Sequence, residues 1–180
     1  MVQKAARRYA NALITSAIEQ DLLEEVKSDI LLIEETLSNS SDLRLFLKSP
    51  IIKKEDKTSV VEQIFGDKIQ KLTSGLLSIL SQKGREKLLH DITVSFLELY
   101  NEHHNIKKVD VVTAFELSED QLSNLQKELG KAIDKTVLMD VTEDQSLIGG
   151  LTVQIDDTII DGSSRYKLNK LKNKFTSAVE

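Results

Sequence analysis

The sequence predicts an α+β protein, mostly α, in which a six-helix bundle over residues 1–105 precedes a small α/β module over residues 106–180. Three observations predict it. Apolar residues recur in steps of three and four through the first part of the chain. The period changes to two at about Asn105. The stretch from Asp144 to Leu168 then combines alternating strands, a tight turn and a capped helix start.

The first helix carries Ala5, Ala6, Tyr9, Ala10, Ala12, Leu13 and Ala17, a small-residue face that lets a neighbouring helix come close. That face reads equally as core packing or as a docking surface. A second helix places Leu23, Val26, Ile30, Ile33 and Leu37 on one stripe. Ser38 to Ser41 interrupt it, and a short turn with Leu43, Phe46 and Leu47 runs into Ser49-Pro50, where the only proline sets a boundary. Val60, Val61, Ile64 and Phe65 mark a helix closed by Gly66, and Ile69, Leu72, Leu76, Ile79 and Leu80 mark one closed by Gly84. The sixth begins near Arg85 and carries Leu88, Leu89, Ile92, Phe96, Leu99 and Tyr100. Lys53, Lys54 and Lys57, beside Glu55 and Asp56, are expected to be solvent-exposed residues of a helix start.

Beyond Asn105, Val109, Val111 and Thr113 alternate with Lys108, Asp110 and Val112 as a strand. Ser118 and Gln121 form a capping box ahead of Leu122, Leu125, Leu129 and Ile133, and Val137, Met139 and Val141 give a second strand. Leu151, Val153 and Ile155 form a third, which turns at Asp156-Asp157 into a short fourth strand through Ile159 and Ile160. Gly149 and Gly150 lack a Cβ, so they form a bulge or admit another backbone at close range. Asp161 or Ser163 accepts hydrogen bonds from the first N–H groups of the final helix. That helix sets Leu168, Leu171, Phe175 and Ala178 on one side and Arg165, Lys167, Lys170, Lys172 and Lys174 around the rest. Such a basic face is either solvated or docks on something acidic.

Composition excludes several classes. The chain has 180 residues, no cysteine, 40% hydrophobic residues and a net charge of −5, with a pI near 5.3. Disulfides and thiolate metal sites are therefore absent, and a phosphate backbone is repelled overall. No apolar run approaches the roughly 18 residues that span a bilayer. The amino terminus shows neither a signal core nor a transit segment, so a soluble protein of a bacterial cell is expected, reaching a membrane only indirectly.

Catalytic motifs are missing. The chain contains neither a phosphate-binding loop nor a nucleophile elbow, and Gly149-Gly150 lacks the third glycine of a dinucleotide fingerprint. His103 and His104 are adjacent at a helix end and project in different directions, while His90 lies inside the sixth helix. Asp156, Asp157 and Asp161 lack the spacing of a calcium loop. No catalytic residue, no metal site and no cofactor are expected. A helical RNA-binding or adapter module stays open as an alternative, although the acidic balance and 4% aromatic content weigh against nucleic acid. A small enzyme is weighed down by polar residues that fall in turns and caps.

Several segments together carry a family resemblance along essentially the whole chain: Ala6-Arg7-Arg8-Tyr9-Ala10-Asn11-Ala12-Leu13, Phe46-Leu47-Lys48-Ser49-Pro50, Lys83-Gly84-Arg85, and Leu147-Ile148-Gly149-Gly150 followed by Ile159-Ile160-Asp161-Gly162-Ser163. The chain resembles the delta subunit of bacterial F-type ATP synthases, counterpart of the mitochondrial oligomycin-sensitivity-conferring protein. It departs from that pattern at Arg8, where many members carry proline. The resemblance implies a non-catalytic stator subunit at the cytoplasmic face of the bacterial inner membrane. It implies that residues 1–105 bind alpha subunits of the catalytic head and residues 106–180 bind the b subunits of the peripheral stalk. It further implies a groove for an alpha-subunit helix, with Tyr9, Ala12 and Leu13 on one wall and Leu76, Ile79 and Leu80 on the other. The b subunits are expected against Gly149, Gly150, Leu168, Leu171 and Phe175.

Overall fold

The computed structural model describes residues 2–177, so Ala178 lies outside the described residues. The chain divides into two compact units, Met1–His103 and His104–Glu180. As the apolar spacing predicts, the architecture is α+β and mostly helical.

The first unit consists of α1 (Val2–Glu19), α2 (Leu23–Asn39), α3 (Ser41–Lys48), α4 (Lys54–Phe65), α5 (Lys71–Gln82) and α6 (Leu89–His103), with a 3-10 turn at Glu86–Leu88. The segment with Leu43, Phe46 and Leu47 is thus a full helix. Its N-cap Ser40 accepts from the Leu43 N–H at 3.2 Å, which satisfies one of the donors that the first turn leaves free. Ala6, Ala10, Ala17, Val26, Ile30, Ile33, Phe96 and Ile92 have no accessible surface and form the core with Leu37, Phe65, Leu80 and Leu89. The alanines matter because α1 packs chiefly against α6, and side chains of one carbon let two helix backbones close up.

Cations on one helix close the C-terminal ends of others. Arg44 donates through Nη1 to the Leu37 and Ser38 carbonyls at the end of α2. Lys54 Nζ donates to the Gln82 carbonyl of α5 at 2.7 Å. Lys57 Nζ donates to the Leu47 and Ser49 carbonyls at 2.8 and 2.7 Å. Lys57 therefore corrects the expectation of an exposed helix-start residue: it is buried, at 8% exposure. The reason is local. Pro50 offers no N–H to continue α3, so the last carbonyls need a donor from elsewhere, and an ammonium also suits the negative end of the helix dipole.

Other polar groups pin helices across the bundle. Asp29 on α2 is buried and its Oδ2 accepts from the Gln70 N–H at 2.8 Å and the Thr73 hydroxyl at 2.7 Å. The N-terminus of α5, which has no cap of its own, is thereby held by α2. Tyr100 donates its hydroxyl proton to Glu24 at 2.6 Å and lies under Lys27, 4.5 Å from the ring centre. Burial and then the bond to Glu24 raise the Tyr100 pKa above the usual phenol value. Gly84 ends α5 at φ +60, with the Arg85 N–H bonded back to the Leu80 carbonyl. Gly66 closes α4 as its place in the sequence predicts, with a φ of −49 that stays in right-handed helical space.

The second unit is a four-stranded sheet in the order β2-β1-β3-β4, with β1 at Ile106–Thr113, β2 at Thr136–Glu143, β3 at Leu151–Ile155 and β4 at Thr158–Asp161. β1 and β2 run parallel, joined through α7 (Glu119–Ile133), while β3 is antiparallel to both β1 and β4. Val109, Val111, Val137 and Val153 share one face of the sheet and are buried with Leu125, Leu129 and Ile133 of α7 packed on them. The capping box is present: Gln121 donates its N–H to Ser118 Oγ and its side chain accepts from the Ser118 N–H. The opposite face is wet, with Lys108 bridging Asp110 and Asp140. The last helix, α8, spans Ser164–Ser177.

Replacement of Lys57 by methionine keeps the stem and removes the ammonium, leaving two carbonyls with no donor. Urea unfolding of the Lys57→Met chain is expected to show a loss of about 1–3 kcal/mol, and an unchanged midpoint would count against this capping role.

Candidate functional site

The helical unit carries an open groove of about 330 Å³ between α1 and α5, lined by Tyr9, Ala12, Leu13 and Ser16 on one side and by Lys71, Leu72, Gly75, Leu76 and Ile79 on the other. The helical repeat explains how one helix serves both core and groove. On α1, Ala6, Ala10 and Ala17 face inward, while Tyr9, Ala12 and Ser16 follow the adjacent flank, and Leu13 belongs to both. On α5, Leu77 and Leu80 face inward, while Leu72, Gly75 and Ile79 face the groove, with Leu76 shared. Five of the six residues expected in the groove thus come together there. Leu80 does not; it is 1% exposed and lies in the core.

Three features give the groove its character. Ile79 is 44% exposed although aliphatic, so the wall is left uncovered by the chain itself. Tyr9 is fixed: its hydroxyl accepts from Arg85 Nη1 at 2.9 Å. That bond joins two of the segments that carry the family resemblance, Ala6–Leu13 and Lys83-Gly84-Arg85, at the rim of one groove. Gly75 sits inside a helix, where glycine costs about 1 kcal/mol relative to alanine. A Cβ built there meets nothing within 4 Å. No packing within the chain requires this glycine, and its effect is to widen the groove.

Gly75, Ser16, Lys71 and Leu72 escaped the sequence reading. The signal for Gly75 was available, since a glycine in the middle of an amphipathic helix needs an explanation. Lys71 supplies the only formal charge among the lining residues, so what the groove offers is an apolar trough suited to the apolar face of a helix. It holds no nucleophile and base in hydrogen-bond reach, and among the described residues no group of three or more His, Asp or Glu is arranged to hold a metal ion.

In the second unit, Gly150 lies at φ +78, and a Cβ on it would stand 2.5 Å from the Gly162 carbonyl oxygen. This is the close backbone approach expected of the glycine pair, made between the start of β3 and the end of β4. A Cβ on Gly149 would meet Ser164 Oγ at 3.0 Å. The pair therefore shapes the joint from which α8 departs. At that joint Asp161 accepts from the Ser163 N–H at 2.8 Å, and hydrogen bonding by Ser163 holds its carboxyl below the usual range. Ser163 Oγ in turn accepts from the Tyr166 N–H at 3.1 Å. Leu168, Leu171 and Phe175 are 55%, 51% and 71% exposed, so these three form an uncovered stripe, whereas Gly150 is packed against the Gly162 backbone and Gly149 against the Ser164 side chain.

A family model described as ATP synthase delta (OSCP) subunit matches residues 5–175. The ATP synthase subunit delta of Chlorobaculum tepidum is 38% identical over 173 residues, covering 96% of this chain and 96% of the relative. That of Chloroherpeton thalassium is 35% identical over 171 residues, covering 95% and 93%. A chain in the cryo-EM structure of the Toxoplasma gondii mitochondrial ATP synthase hexamer shares the fold, with a TM-score of 0.72 at 23% identity over 95% of this chain and 97% of that one.

Because a Cβ at Gly75 fits without contact, the Gly75→Ala chain is expected to gain about 0.5–1 kcal/mol in chemical unfolding. A loss of stability would mean that the glycine serves the fold and not the groove.

Proposed function

Because the chain belongs to the ATP synthase delta (OSCP) family, and is a non-catalytic stator subunit of F-type ATP synthase, we propose that its α1/α5 groove seats an amphipathic helix of the alpha subunits while its smaller unit holds the b subunits. A stator subunit links the catalytic head to the peripheral stalk, so that ion-driven rotation is coupled to ATP synthesis and the head does not turn with the rotor. The observation that carries the alpha-subunit assignment is the groove itself: apolar, uncovered and widened by a glycine the bundle does not need.

Magnitudes support a helix in a groove as a sufficient clamp. Holding against continuous torque calls for at least nanomolar affinity, about 12 kcal/mol, and an interface of roughly 1,600 Å² with a well-packed centre reaches that. The b-subunit assignment is supported by the uncovered stripe Leu168, Leu171 and Phe175 in the second unit. Among the described residues no helix is long and apolar enough to cross a membrane, and the subunit is peripheral to its complex. On this reading it works at the cytoplasmic face of the bacterial inner membrane, attached through its partners.

Ala12 lines the groove and is exposed, so a carboxylate there is tolerated by the free bundle but is desolvated beneath a bound apolar helix. Calorimetry with an alpha-subunit amino-terminal peptide is expected to show about 10-fold or greater weakening for Ala12→Asp, a loss above 1.4 kcal/mol, with an unaltered melting curve; full affinity would refute the groove assignment. For the second unit, a chain ending at residue 105 is expected to keep its helical circular dichroism and lose the b subunits in a pull-down. Capture equal to that of the whole chain would remove the stalk from the smaller unit.

A further inference from the structure

α8 has a pattern that says more about its partner than exposure alone. The helix is anchored at its start, where the Ser164 N–H donates to the Gly149 carbonyl at 2.8 Å and Arg165 Nε donates to the Ser146 carbonyl at 2.6 Å. Beyond that joint, Leu168, Leu171 and Phe175 are all more than half exposed. Their spacing of three and then four is the a-d-a seam of a heptad, and Ala178 continues it in the sequence. With Leu168 at a, the positions flanking the seam are Arg165 and Lys172 at e and Lys167 and Lys174 at g. Every flanking position is basic, and residues 164–177 contain no Asp or Glu. Tyr166 and Lys170, whose ammonium lies 5.9 Å from the Tyr166 ring centre, occupy the opposite side.

We propose that α8 is one strand of a heteromeric two-helix coiled coil, whose other strand is a helix with an apolar heptad seam flanked by Asp or Glu at its e and g positions. In coiled coils the residues beside the seam choose the partner by charge, and a uniformly basic set selects an acidic one. The same set opposes a second copy of this chain, because like charges would face each other along the whole seam. The stripe is also narrow, a two-in-seven seam and not the broad apolar face of a globular surface helix, which fits one partner helix. The inference rests on the assignment of the smaller unit to the stalk and sharpens it: the segment of the b subunits that docks here is an acidic-flanked heptad helix.

The test uses the full chain and a synthetic helical peptide of about four heptads with Leu at a and d and Glu at e and g, set beside the same peptide with Lys in place of Glu. The acidic peptide is expected to bind, the basic one not to, and the Lys167→Glu/Lys172→Glu chain to lose about tenfold or more in affinity for the first while gaining affinity for the second. Indifference to peptide charge overturns the proposal. So does preferential binding to phosphatidylserine vesicles, or dimerisation of the unaltered chain by sedimentation. If the charge-reversed chain keeps the b subunits at unchanged affinity, the inference about α8 falls while the stalk assignment stands. That assignment fails only if the chain ending at residue 105 also keeps them.

Discussion

The close packing of α1 on α6 is the constraint on which the rest of the helical unit depends. Ala6, Ala10 and Ala17 have no accessible surface, and side chains this small let two helix backbones approach closely. With that face spent on α6, the neighbouring flank of α1 is left to meet α5. Tyr9, Ala12 and Ser16 lie on that flank because they follow the same helical repeat displaced around the axis. An Ala-rich helix thus supplies both core and groove wall, resolved by rotation about one axis.

Much of the fold was legible. Steps of three and four marked the helices, period two marked the strands, and the capping box at Ser118 and Gln121 is formed as its spacing predicts. What is not legible depends on how neighbouring elements pack against one another. Lys57 looked like any charged residue at a helix start, because the Leu47 and Ser49 carbonyls it serves belong to a different helix. Asp29 caps α5 from α2, a relation no local pattern encodes. Gly66 and Gly84 look alike in sequence, yet only Gly84 adopts positive φ. In the groove, the resemblance implies Leu80 as part of the wall, but one turn beyond Leu76 on α5 it lies in the core. Gly75 is legible as a mid-helix glycine, but not which space its missing side chain leaves open.

The two surfaces proposed to hold partners differ in chemistry. The groove of the first unit is almost uncharged, so its affinity comes from shape and apolar area and changes little with salt. α8 is basic throughout, so attachment there is steered and selected by charge, and is screened at high ionic strength. On the proposed reading, the two attachments therefore rest on different physical terms.

α5 is secured at both extremities by groups outside itself. Asp29 holds its first turn, while Lys54 takes the Gln82 carbonyl and Arg85, just past the helix, reaches Tyr9 on α1. Helices ordinarily unravel from their ends, where hydrogen bonds are fewest. A rod clamped at both tips resists peeling, so a sideways pull on its surface is shared with α1, α2 and α4 as shear across many contacts instead of opening one turn at a time.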